Sequence, residues 1–193
     1  LPFFAMVLFA FSMVWKGGRD HPNKAALLWS LGTAVMAFFG AGVWGFMHTL
    51  PGINYYTHGT QVTAAHGHLA FFGAYVSLNL AIITYAMPYL LRREVYNQVL
   101  NMVSFWVMSS AMAFMTFTLT FAGVVQTHLQ RVQGQNYMDI QDELGLFFLM
   151  RLGAGIVVVI AVLMFVYATF VPRRRELISP RSTERRAATG VAE

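Results

Sequence analysis

The sequence predicts an all-α integral membrane protein with five transmembrane helices, and three observations carry that expectation. Of the 193 residues, 57% are hydrophobic and only 11% are charged. Soluble domains average ~45–50% apolar and ~25% charged, so this chain has too little charge to cover a surface facing water. Four stretches long enough to cross a ~30 Å hydrocarbon core, which takes about 20 residues of helix, are almost free of charge. Basic residues, finally, gather in alternate linkers. The same composition excludes disorder over most of the chain. With 0 Cys, thiolate metal sites, disulfide frameworks and iron–sulfur clusters are excluded. The net charge of +5 (13 Lys and Arg against 8 Asp and Glu) lies between or after apolar stretches, so no nucleic-acid partner is expected.

The first span, residues 1–15, is apolar but reaches only ~22 Å at the rise of an α-helix. No initiating Met and no basic flank precede it, so it does not read as a signal peptide. It reads as the remaining end of a spanning helix, and the chain as the C-terminal portion of a longer protein. The second span, 25–49, has no Lys, Arg, Asp or Glu. In it Thr33, Ala37, Ala41 and Gly45 recur every fourth residue, a small-residue stripe suited to close helix packing. Pro51–Gly52 then marks a turn, followed by the interfacial aromatics Tyr55 and Tyr56. Spans 60–91 and 97–129 are also without permanent charge, and span 144–171 contains only Arg151. Asn79, Thr84, Ser109 and Ser110 are expected to form helix–helix hydrogen bonds. Asp139, Asp142 and Glu143 read as a solvated acidic loop. Residues 172–193 form a polar, basic tail, expected to be disordered.

The linkers give an orientation. Lys16, Arg19 and Lys24 lie between spans one and two, Arg92 and Arg93 between spans three and four, and Arg173, Arg174 and Arg175 after span five. The alternate linkers hold no basic residue (50–58) or a single Arg131 against three carboxylates (130–143). The positive-inside rule places the three basic segments, and with them the C-terminus, in the cytoplasm.

The chemistry is expected at histidines inside a span, where an ionisable side chain is costly and usually functional. His66 and His68 are separated only by Gly67. Successive helical residues turn by ~100°, so these imidazoles point ~200° apart, roughly 9–12 Å along the axis from a helix start near Thr60. One metal needs ligands that converge, as i and i+4 do; H-x-H on a helix instead serves two separate centres. Haem iron takes a single axial imidazole, so each histidine is a candidate ligand for its own haem. A proton-relay or other polar role is the competing reading of the same pair. Gly67 and the small Ala64, Ala65 and Ala70 leave room for two macrocycles, although helix packing would explain the glycine equally well. His48 and His58, near the outer interface, are candidates to hydrogen-bond haem propionates or are ordinary interfacial histidines. Arg151 is a candidate to hold a propionate, to pair with a carboxylate or to snorkel. There is no P-loop, Rossmann glycine pattern or nucleophile elbow.

These residues also carry a resemblance. Pro2-Phe3-Phe4-Ala5-Met6, the run Gly40-Ala41-Gly42-Val43-Trp44-Gly45-Phe46-Met47-His48-Thr49, the run Asn54-Tyr55-Tyr56-Thr57-His58-Gly59-Thr60-Gln61 and Thr63-Ala64-Ala65-His66-Gly67-His68 resemble the large, catalytic subunit of cytochrome c-dependent nitric oxide reductases, within the haem–copper oxidase superfamily. The resemblance covers roughly residues 1–171. It implies that these are the last five spans of a twelve-helix bundle in a bacterial cytoplasmic membrane, reducing two NO to N2O and water with electrons from a c-type cytochrome subunit. It implies His66 as proximal ligand of the high-spin haem b3 and His68 as an axial ligand of the low-spin haem b. The family's non-haem iron and calcium rely on ligands mostly outside this chain, so the chain alone does not complete the active site. The absence of ionisable residues from the cytoplasmic halves of spans two to five agrees with proton uptake from outside. Two other readings compete: an oxygen-reducing haem–copper oxidase subunit, and a non-catalytic haem-binding electron-transfer or assembly protein.

Overall fold

The computed structural model describes residues 2–16, 22–92 and 97–171. Arg19, Arg93, Arg173 to Arg175 and the tail expected to be disordered lie outside the described residues. Within them the chain is helical, without strands: α1 (Pro2–Lys16), α2 (Lys24–Thr49), α3 (Pro51–Thr57), α4 (Gln61–Leu90), α5 (Gln98–Val132) and α6 (Gln141–Phe170). Four of these, α2, α4, α5 and α6, are long and apolar enough to cross a membrane. The first expected span is a helix of 15 residues, shorter than a full crossing requires.

The helix starts follow local chemistry. The Asn23 side chain accepts from the Ala26 N–H at 3.0 Å, opening α2, and Asn97 does the same for Leu100 at 3.1 Å, opening α5. The Thr60 hydroxyl caps the Val62 N–H of α4 at 3.3 Å. Each satisfies a donor that the first turn leaves without a helical partner. The expected turn at Pro51–Gly52 is instead the first turn of α3. Leu50 is extended (φ −78°, ψ 118°), as a residue before proline prefers. Pro51 then starts a helix at a position that needs no N–H.

The four long helices pack in series, α2 against α4, α4 against α5 and α5 against α6, with α2 also touching α5 and α1 lying along α2. Their common core centres on Trp29, fully buried, with edge-on contacts to Phe105 (5.0 Å) and Phe165 (5.7 Å). Its indole N–H donates to Asn101 Oδ1 at 2.7 Å, and the Asn101 amide reaches Thr84 Oγ1 at 3.4 Å. Thr84 thus forms the expected interhelical bond. Asn79 does not: its amide donates to Tyr75 of its own helix. Ser109 has a buried hydroxyl without a partner among the described residues.

Two glycine crossings set the α2–α4 approach. A Cβ on Gly40 would lie 2.7 Å from the Ala70 nitrogen and the Leu69 carbonyl carbon, and one on Gly73 would lie 2.6 Å from the Met36 carbonyl carbon. The expected four-residue stripe therefore holds only in part. Thr33 is buried, but Ala41 is exposed, because residues Phe38–Trp44 form a π-helical segment. A π turn adds a residue to the helical repeat and shifts Ala41 off the stripe, while Gly45 still faces His66 of α4. A second π segment, Phe72–Val76, follows the histidine-bearing part of α4.

Candidate functional site

His66 and His68 lie on a continuous α-helical stretch, Gln61–Phe71, and their surroundings differ completely. His66 faces α2. Its Nδ1–H donates to the Gly40 carbonyl at 2.9 Å, and Gly45 presents its Cα side to the ring, where a Cβ would lie 3.5 Å from His66 Cε1. Gly40 lies inside the π segment Phe38–Trp44, where main-chain bonding shifts from i+4 to i+5 and a carbonyl is available to a side chain. His68 faces α5 and α6. It lines a cavity of about 750 Å³ together with Met112, Met115, Phe148, Arg151 and Gly155. Its Nδ1–H donates to the Ala64 carbonyl of its own helix at 2.8 Å. The ~200° separation expected of i and i+2 positions is thus present as two different sets of neighbours.

The hydrogen bonds fix the tautomers. A carbonyl oxygen can only accept, so Nδ1 of each ring carries the proton and Nε2 presents a lone pair. A metal-ligating histidine typically has this arrangement, with the second nitrogen tied to a backbone carbonyl. Between the two histidines, a Cβ on Gly67 would meet nothing within 4 Å. Close packing of the described helices therefore does not require this glycine, and the space beside it is open.

The remaining candidates divide. Arg151 lines the His68 cavity and makes no ion pair with any described residue, so the expected alternative of pairing with a nearby carboxylate such as Glu143 does not form. His48 is brought to the other histidine: its ring lies parallel to His66 with centroids 5.0 Å apart and planes 25° apart. Its Nδ1–H donates to the Trp44 carbonyl at 2.9 Å, and its Nε2 is buried without a partner among the described residues. His58 is exposed at the end of α3 and contacts neither His66 nor His68 by hydrogen bond or ring stacking. No group of three or more His, Cys, Asp or Glu suited to a metal ion occurs among the described residues.

The start of α4 is held by a residue that the sequence did not single out. Gln126 of α5, almost fully buried, accepts from the Gln61 N–H at 2.9 Å and donates to Gln130 at 3.0 Å. The Gly123 Cα sits where a Cβ would run into Val62. Both contacts fix how far α4 slides along α5, and hence the height of both histidines.

Against this geometry, a family profile, cytochrome C and quinol oxidase polypeptide I, matches residues 1–175. The chain belongs to that family. It is also 50% identical, over 176 residues, to a nitric oxide reductase subunit of Stutzerimonas stutzeri, an alignment covering 87% of this chain and 37% of that protein. The chain thus spans a little over a third of the length of that relative. Membership makes it a multi-pass helical membrane protein of the haem–copper oxidase type and implies haem as its class of cofactor. The residues fit such a group. Two imidazoles on one helix have separate neighbours, His66 tied to Gly40 of α2 and His68 to its own helix, the glycine between them in sequence leaves open space, and an apolar cavity with one guanidinium at its wall adjoins His68.

Proposed function

We propose that this chain is the haem-binding C-terminal portion of a bacterial nitric oxide reductase large subunit. The observation that carries the proposal is the divergence of His66 and His68 into separate surroundings, each ring tied at Nδ1. In this reading His66 Nε2 holds the iron of the high-spin haem b3 and His68 Nε2 one axial position of the low-spin haem b. When bound, the two haems would supply one-electron redox chemistry and an iron able to take NO. The overall balance is two NO, two electrons and two protons giving N2O and water.

The chain's own residues bind and orient. Gly40 holds the His66 ring from α2, and the Ala64 carbonyl holds His68. Met112, Met115, Phe148 and Gly155 give His68 an apolar wall, and Arg151 offers this cavity its guanidinium as a propionate partner. His58, exposed at the end of α3, is assigned to a propionate on the outer side. In this reading the ligands of non-haem iron and calcium come mostly from outside this chain, as does the second axial ligand of haem b. The orientation follows the basic linkers, with the C-terminus cytoplasmic and α1 completing a fifth span. The partners are the remaining spans of the large subunit, a c-type cytochrome subunit as electron donor, and membrane lipid.

The test uses the complete protein in detergent or lipid with a reduced c-type cytochrome. The expected result is one N2O formed per two NO consumed under anaerobic conditions. Oxygen consumption without N2O formation would favour an oxygen reductase, and haem spectra without either turnover would favour a non-catalytic electron carrier.

A further inference from the structure

We propose that His48 is a positioning residue for His66: its ring, stacked flat on the His66 imidazole, sets the angle at which that imidazole stands on the iron. This rests on the reading of His66 as the ligand of the high-spin haem. The single hydrogen bond from His66 Nδ1–H to the Gly40 carbonyl holds one corner of the ring and leaves it free to rock about that bond. A second flat ring, parallel within 25° and 5.0 Å away, removes that freedom. His48 is suited to the task because it is itself fixed. It sits in the last turn of α2, with its Nδ1–H on the Trp44 carbonyl at 2.9 Å, directly after the π segment that supplies Gly40. One irregular stretch of α2 therefore delivers both restraints on His66, the carbonyl and the stacked ring. His68 has only a hydrogen bond within its own helix and no stacked partner among the described residues, so the restraint is specific to one of the two histidines.

The His48 Nε2 points the same way. It is buried and lacks a partner among the described residues. Leaving a buried ring nitrogen unpaired is costly, so this edge of the stacked pair is completed by a donor that the described helices do not supply.

The experiment is resonance Raman spectroscopy of the complete reduced enzyme, reading the iron–histidine stretching band of the high-spin haem. Variants His48→Ala and His48→Phe are compared with wild type and with His66→Ala. The expected result is a shifted and broadened band in His48→Ala, a band restored towards wild type by the flat ring of His48→Phe, and low-spin haem bands unchanged in both. An unchanged band in His48→Ala would overturn the proposal, as would equal perturbation by Phe and Ala, or equal perturbation of the low-spin haem. Persistence of the band in His66→Ala would overturn the ligand assignment itself, and the stacking role with it. Loss of the band there, with no change in His48→Ala, would overturn the stacking role alone.

Discussion

Replacing Gly40 by Ala lowers the thermal stability of the complete protein, and replacing it by Val prevents the bundle from assembling. The atoms that a Cβ would strike are backbone: the Ala70 nitrogen and Leu69 carbonyl carbon at 2.7 Å and the Leu69 oxygen at 2.9 Å. No rotamer change relieves such a contact, so α2 and α4 must separate. Overpacking of this kind costs ~1–3 kcal/mol, and the two further methyl groups of Val add to it. The same displacement draws the Gly40 carbonyl away from His66 Nδ1, now 2.9 Å distant, so any haem held by His66, as proposed, is expected to be disturbed even in the milder variant. Gly145→Ala is the control, because a Cβ there meets nothing within 4 Å. Alanine in a helix interior is favoured over glycine by about 0.5–1 kcal/mol, so that variant is expected to be as stable as wild type or more so. Thermal denaturation of the three proteins, followed by haem absorbance, checks the ordering. Equal midpoints for Gly40→Ala and Gly145→Ala would contradict it.

Gly67→Leu should leave the fold intact and remove both haems or displace their bands. Nothing in the described helices opposes a side chain at this position. Substitutions into open space typically change stability by no more than ~0.5 kcal/mol. The leucine, however, would occupy the open space beside Gly67, where the proposed function would bring two macrocycles to one helix. The measurement is haem content per protein together with the optical spectrum of the purified complex. A protein that is expressed and helical yet poor in haem is the expected outcome. A full complement of two haems with unshifted bands would mean that the open space serves something else.

How much of this was legible in the sequence follows from which interactions are local. The four long spans were readable because a bilayer crossing needs an uncharged run, and α4 and α5 supply one each. The opposed faces of His66 and His68 were readable because they depend only on helical rotation. The Arg151 environment was readable only as a set of alternatives. The cavity it shares with His68 requires knowing how α6 lies on α5, which no spacing rule gives. The π segment Phe38–Trp44 left no composition signal, and it is the reason that Ala41 falls outside the small-residue stripe of α2. For the same reason His48 appeared as an interfacial histidine rather than as the ring stacked on His66. The two are 18 positions apart, across a helix break at Leu50 and the short helix α3. Gln126 was passed over because a lone glutamine in an apolar run is uninformative until the Gln61 N–H is seen to face it.

The most direct measurement is a pair of spectra, optical and electron paramagnetic resonance, from His66→Ala and His68→Ala in the complete enzyme. If each imidazole holds its own iron, His66→Ala loses the high-spin signal and keeps the low-spin one, while His68→Ala loses the low-spin signal and keeps the high-spin one. Identical losses in the two variants would contradict separate assignments, because both rings would then serve one centre or none.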